Sequence, residues 1–134
     1  MRQPVNRKPS PLPFAAELEI LATLWRLGPS TVREVHEALG KEIGYTTTLK
    51  QMQLMHEKGL LSRSERFRSH VYEPVMSKER TQKQVARDIM ARVFDNSAKS
   101  LVMGALAAQP TSDEELAEIR KMLANYARER GSSR

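Results

Sequence analysis

Two histidine–glutamate pairs, His36-Glu37 and His56-Glu57, are the first candidates for chemistry in this chain of 134 residues. A helix with histidines four positions apart and a glutamate between them holds zinc and a general base on one face. Neither pair meets that spacing, because the residue four after His36 is Gly40 and the residue four after His56 is Leu60. His70 stands apart from both, and His56 falls on the inward edge of its expected helix, where a packed imidazole is the simpler reading. The sequence has no cysteine, which excludes disulfides, thiol catalysis and cysteine-ligated metal. It also has no phosphate-binding glycine loop and no nucleophile elbow. Asp113-Glu114-Glu115 is the acidic first turn of a helix, not a catalytic carboxylate pair. No catalytic residue, metal site or cofactor is expected.

Groups suited to base edges and phosphates gather instead between Tyr45 and Pro74, in YTTTLKQMQLMHEKGLLSRSERFRSHVYEP. Helical periodicity places Tyr45, Leu49, Met52, Met55 and His56 on one side, the stripe of a helix packed on a core. Thr46, Thr47, Lys50, Gln51, Leu54, Glu57 and Lys58 take the other side. That face offers threonine hydroxyls and methyls, an amide and an ammonium, while Leu54 is either an apolar contact for a thymine methyl or simply an exposed leucine. Gly59 is a left-handed stop, with Lys58 in the last turn where a cation suits the helix dipole. Two short strands follow, Leu60 to Arg63 and Ser69 to Pro74, around a tip of Glu65-Arg66-Phe67-Arg68. Arg66, Arg68 and Ser69 are placed to reach a phosphate backbone or a minor groove.

The elements that must position this segment lie before it. A core helix runs from Ala15 to Leu27 with Leu18, Leu21, Leu24 and Trp25 at helical spacing, and Gly28-Pro29 ends it. Thr31-Val32-Arg33-Glu34 is a capping box that opens a second helix to about Leu39, with Val32, Val35 and Leu39 inward. Gly40 and Gly44 bracket the turn into the Tyr45 helix. Three helices and then a ribbon is the order of a winged helix-turn-helix, in which the Tyr45 helix reads DNA and the ribbon is the wing. Ser30 and Thr31 would then turn the second helix's N-terminus toward a phosphate.

After Pro74 the pattern changes to helices alone. Ser77 caps a helix to about Phe94, carrying Val85, Ile89, Val93 and Phe94 on one stripe. A short apolar helix from Ala98 to Ala108 carries Leu101, Val102 and Leu106. Thr111, or Ser112 with Glu115, caps a last helix carrying Leu116, Ile119, Met122, Leu123 and Tyr126. Three such helices do not readily make a stable unit alone, and a second copy would bury their stripes. The alternative is that the stripes fold back on the first domain in a monomer. The expected organisation is a flexible basic arm at 1–13, a winged-helix domain at 14–76, a three-helix dimerisation domain at 77–128 and a tail at 129–134. The fold class is mainly α with a small β-wing.

The net charge of +6 and a pI near 9.9 favour a polyanionic partner. Residues 1–76 and 77–134 each hold 11 Lys/Arg and 8 Asp/Glu, so charge alone does not say which half meets DNA. No apolar run is long enough to cross a bilayer, and MRQPVNRKPSPLP lacks a signal core, so a cytoplasmic protein without membrane insertion is expected.

The segments AELEILATLWRLGPSTVREVHEAL, YTTTLKQMQLMHEKGLL, HVYEP and KSLV, in this order, resemble the penicillinase-repressor (BlaI/MecI/CopY) family of bacterial transcription regulators. The resemblance covers roughly residues 14 to 128. It implies a homodimer that represses by binding a palindromic promoter operator in double-stranded DNA. By position, Thr46, Thr47 and Lys50 match the family's recognition-helix residues, and Arg68 with Ser69 sits at the wing. Leu54 stands where relatives often carry arginine. Gly104-Ala105 stands where antibiotic-responsive members carry a cleaved Asn-Phe pair, which argues against induction by that cut. A membrane-bound sensor-protease is the partner such induction would require. Copper-responsive members use a C-terminal cysteine pair, so copper sensing by that route is excluded. The rival reading is a winged-helix module that contacts a protein and has no sequence-specific DNA binding.

Overall fold

The computed structural model describes residues 15–40 and 42–132; the arm expected at 1–13 and residues 133 and 134 of the tail lie outside the described residues. The chain divides into two compact units, Met1–Lys83 and Gln84–Arg134.

The first unit is built from α1 (Ala15–Leu27), α2 (Val32–Leu39), α3 (Tyr45–Glu57) and the hairpin of β1 (Leu61–Arg66) and β2 (Ser69–Pro74). Gly28, at φ 86°, turns the chain out of α1 with its N–H still bonded to the Leu24 carbonyl at 2.8 Å. The capping box at the start of α2 forms as expected. The Glu34 N–H donates to Thr31 Oγ1 at 3.2 Å, and the Thr31 N–H donates to Glu34 Oε1 at 2.8 Å. Lys58 caps α3 and Gly59 follows at φ 86°. Lys58 Nζ also reaches Glu17 Oε2 at 2.7 Å, which ties the end of α3 to α1.

Apolar side chains from every one of these elements meet in one core: Ile20, Leu21 and Leu24 from α1, Val32 and Val35 from α2, Met52 and Met55 from α3, Leu61 from β1 and Tyr72 from β2. Trp25 packs against this core and its indole N–H donates to the Met76 carbonyl at 3.2 Å. The hairpin is not left to itself. Ser30 forms an antiparallel bridge to Tyr72, with Ser30 N–H to Tyr72 O at 3.0 Å and Tyr72 N–H to Ser30 O at 2.8 Å. The α1–α2 turn is thereby the third edge of the sheet.

The structure corrects two details of the hairpin and α3. The hairpin pairs Leu61 with Pro74 through to Arg66 with Ser69, so Glu65 and Arg66 are strand residues and only Phe67 and Arg68 form the loop. Their φ values of 51° and 68° give the two-residue, type I′ pattern that matches the twist of the strands. On α3 the inward row is Thr48, Met52 and Met55, and Tyr45 is exposed. A tyrosine in the first turn leans back over the preceding segment, not down into the core.

In the second unit, α4 (Lys78–Val93, which begins in the first unit), α5 (Ala98–Ala108) and α6 (Asp113–Ser132) are joined by tight turns. Asp95 and Asn96, at φ 51° and 59°, close the α4–α5 turn, with the Asn96 N–H on the Met90 carbonyl at 2.7 Å. Ser97 Oγ accepts from the Ser100 N–H at 3.1 Å and Ser112 Oγ from the Glu115 N–H at 3.0 Å. The last helix therefore starts on Ser112, one of the two caps expected, and it runs past the expected end at 128.

Tyr72 is 1% exposed and sits where the sheet and all three helices of the first unit converge. Tyr72→Ala should lower stability by about 3–5 kcal/mol, while Tyr72→Phe, which keeps ring and backbone bridge, should stay within about 1.5 kcal/mol. Urea unfolding of both variants checks this.

Candidate nucleic-acid interface

α3 presents Thr46, Thr47, Lys50 and Leu54 to solvent, with Gln51 half-buried at the margin of the face. The opposite side is locked by Met52 and Met55, both fully buried, so the rotation of α3 is set and the exposed row is fixed with it. Leu54 is 40% exposed and makes no part of the core. The helix begins at Gly44, which offers no side-chain cap, so the positive end of its dipole stays open beside Thr46 and Thr47.

The α2 N-terminus is different, and here the sequence expectation fails. Ser30 is 3% exposed, its N–H is spent on Tyr72 and its hydroxyl donates to the Gly28 carbonyl at 2.8 Å. Ser30 is therefore a seam residue between turn and sheet and has no surface to offer DNA. Thr31 is half-buried, with its N–H and its hydroxyl oxygen both engaged by Glu34. A carboxylate already occupies the place where a phosphate was expected. The backbone N–H of Thr31, and then Arg66 nearby, hold the Glu34 carboxyl below its ordinary value.

The wing carries the remaining predicted residues. Arg66 Nη2 pairs with Glu34 Oε1 at 3.3 Å, tying the end of β1 to the first turn of α2. Arg68 and Ser69 are exposed, and Arg68 makes no ion pair among the described residues; the same holds for Lys50 and Arg63. Phe67 at the tip is 93% exposed. Left-handed conformations at two successive non-glycine residues cost on the order of 1–3 kcal/mol each.

Between wing and helices lies an open cleft of about 340 Å³, lined by Thr31, Val32, Arg33, Tyr45, Leu49, Ser69, His70 and Tyr72. It brings the start of β2 beside the start of α3. Arg33 and Tyr45 were not assigned to a site from sequence. The Arg33 guanidinium lies 5.4 Å from the Tyr45 ring centre, and His36 meets the same ring edge-on at 5.6 Å. Arg33 and His36 lie three apart on α2, a spacing that puts them on one face, but only the fold brings that face to Tyr45. Among the described residues no group of three or more His, Cys, Asp or Glu side chains gathers as a metal site would need.

The residues assigned to dimerisation lie in and around the second unit. Val93, Val102, Leu106 and Leu123 are exposed, while Val85, Ile89, Phe94, Leu101, Leu116 and Ile119 are half-buried. Met103, Met122 and Tyr126 add to the exposed apolar surface. No described residue in 84–131 is fully buried.

A helix-turn-helix closed by a two-stranded ribbon, with a polar outward face on the third helix, defines a winged-helix regulator. The fold is shared with a MarR family protein from Bacillus stearothermophilus at a TM-score of 0.50 and 20% identity, over 94% of this chain and 78% of that one. Residues 15–125 match the family model of the penicillinase repressor, and the chain belongs to that family. It is 29% identical over 101 residues to the transcriptional regulator BlaI of two Mycobacterium tuberculosis strains, covering 73% of each chain. The protein is thus a winged-helix transcriptional repressor by family and fold. No helix among the described residues is long and apolar enough to cross a membrane.

Because the folded-state pKa of Glu34 is lowered, its contribution to stability is present above the ordinary carboxylate value and is lost as pH falls through the folded one. The stability gap between wild type and Glu34→Gln should therefore close as pH drops from neutral to below the ordinary carboxylate range. Thermal unfolding across that range checks it; a gap that held constant would mean Glu34 acts through something other than its charge.

Proposed function

We propose that this protein is a cytoplasmic, homodimeric repressor that binds a palindromic operator in double-stranded DNA. In this reading Thr46, Thr47, Lys50, Gln51 and Leu54 face the major groove, and Arg68 and Ser69 grip the backbone. The observation that carries it is the exposed row on α3 with the uncapped helix start beside it, held in register by the Met52 and Met55 anchors. Threonine, amide and ammonium groups supply base-edge and phosphate contacts, and Leu54 supplies apolar contact to a thymine methyl. Thr31 has a lesser part, since Glu34 already engages it.

The dimer half of the proposal rests on the second unit. Val93, Met103, Met122, Leu123 and Tyr126 leave a large apolar surface on helices that bury none of their own residues fully. A second copy covers such a surface and gives the two-fold symmetry that a palindrome requires. A membrane-bound sensor-protease is the upstream partner consistent with the family, although Gly104-Ala105 does not supply the expected cut pair. The reading without DNA, a protein-binding winged helix, is separated by salt. A DNA-binding dimer with ~6–10 phosphate contacts loses on the order of 10³-fold or more in affinity between low and moderate salt.

Footprinting on the promoter upstream of its own gene should give a symmetric protected site, and no protection on any promoter fragment would favour the protein-binding module. On that site Lys50→Ala and Arg68→Ala should both weaken binding, with Arg68→Ala flattening the salt slope by about one unit. Substitution of Thr47 should shift base preference in a randomised-operator selection more than it shifts total affinity. Leu123→Asp should move the protein toward monomer in sedimentation equilibrium and weaken operator binding in parallel; a variant that stayed dimeric would place the interface elsewhere.

A further inference from the structure

We infer that Phe67 is a wedge, entering the minor groove beside each half-site and partly unstacking one base step, so that the wing reads DNA deformability as well as phosphates. This rests on the DNA-binding reading above and adds a specificity residue to it.

Three observations meet at the tip. The two-residue loop needs positive φ at both positions, where glycine, asparagine or aspartate fits best, yet the chain places Phe67 and Arg68 there. Among the described residues the phenylalanine has no packing partner in the core, and it is 93% exposed. The tip is also held in place. The last pair of the ladder is Arg66 with Ser69, Arg66 is tied to Glu34, and the ribbon is bridged to Ser30 through Tyr72. The paired strands carry the ring to the end of the ribbon, so the backbone beneath it needs little further ordering on insertion.

The surroundings define the partner. Arg68, free of ion pairs among the described residues, is the other residue of the two-residue loop, and the cleft shared by Ser69, His70 and Tyr45 sets the wing next to the start of α3. An apolar ring beside a cation suits a surface of phosphates over stacked bases. Minor-groove proteins insert side chains of this type between base steps and kink the duplex. Pyrimidine–purine steps unstack most easily, so such a step is expected where the tip lands.

The test uses the full chain and the duplex protected in the footprint, with 2-aminopurine placed in turn at each position flanking the half-sites. Wild type should raise fluorescence at one position per half-site. Phe67→Asn, which suits the left-handed backbone, should abolish that rise and weaken binding about five- to tenfold without changing the salt slope. Phe67→Leu should keep much of the signal, and Arg68→Ala should keep the signal while flattening the slope. If Phe67→Asn bound with unchanged affinity and fluorescence, the wedge would be overturned and the DNA-binding reading would stand on the footprint. If wild type protected no duplex, both would fall. Sedimentation of wild type but not Phe67→Asn with phosphatidylglycerol vesicles, with DNA binding equal in the two, would assign the ring to a lipid surface instead and also overturn the wedge.

Discussion

Two backbone hydrogen bonds between Ser30 and Tyr72 join the helical part of the first unit to its hairpin, and the working surface depends on them. A two-stranded ribbon alone is marginal in water. Here the ribbon gains a third edge from the α1–α2 turn, and Tyr72 sends its ring into the core on the same residue that makes the bridge. His56, near the end of α3, and His70, on β2, both meet that ring edge-on at 6.4 Å. One residue thereby relates the turn, the end of α3 and the wing. The position of the wing tip relative to the exposed row of α3 follows from the core, with the Arg66–Glu34 pair adding a tie at the surface.

The same constraint explains a division of labour between two helix starts. α2 begins where the sheet bridge needs Ser30, so its first turn is closed by its own side chains and by Arg66 from the ribbon. The Glu34 carboxylate satisfies the dipole there and leaves little for an external anion. α3 begins at a glycine with no side-chain cap, and its open N-terminus lies on the cleft that the wing also borders. Internal closure at one helix start and openness at the other is what a surface needs if α2 is to be structural and α3 is to meet a ligand.

Much of this was legible in the sequence because it is local. The capping box at Thr31 and Glu34, the stops at Gly28 and Gly59, and the helix bounds of α1 and α5 are written in residues a few positions apart. What periodicity missed was set by distant partners. Ser30 looks like a surface serine until β2 arrives to bury it. Thr48 looks polar, yet the close approach of α3 to the core buries it at 1% exposure, with its hydroxyl on the Gly44 carbonyl at 3.5 Å. Tyr45 looks like a core residue on the helical wheel, but its place in the first turn hands it to Arg33 and His36. The tightness of the wing was hidden for another reason. Phe67-Arg68 is not a turn-forming pair by composition, and only the pairing of Arg66 with Ser69 forces it into one.

Gly104 is linked by packing to a second position. A Cβ built on Gly104 would lie 3.2 Å from Phe94 Cε1, a tight contact, and 3.5 Å from Phe94 Cζ, an ordinary one. Gly104 thus lets the middle of α5 pass against the aromatic that ends the α4 segment, at a helix-interior position where glycine costs about 1 kcal/mol relative to alanine. Any side chain at this position would need the Phe94 ring to give by a few tenths of an ångström. The pair Phe94 and Gly104 is therefore one packing solution, in which a large residue on one helix is matched by the smallest on the next.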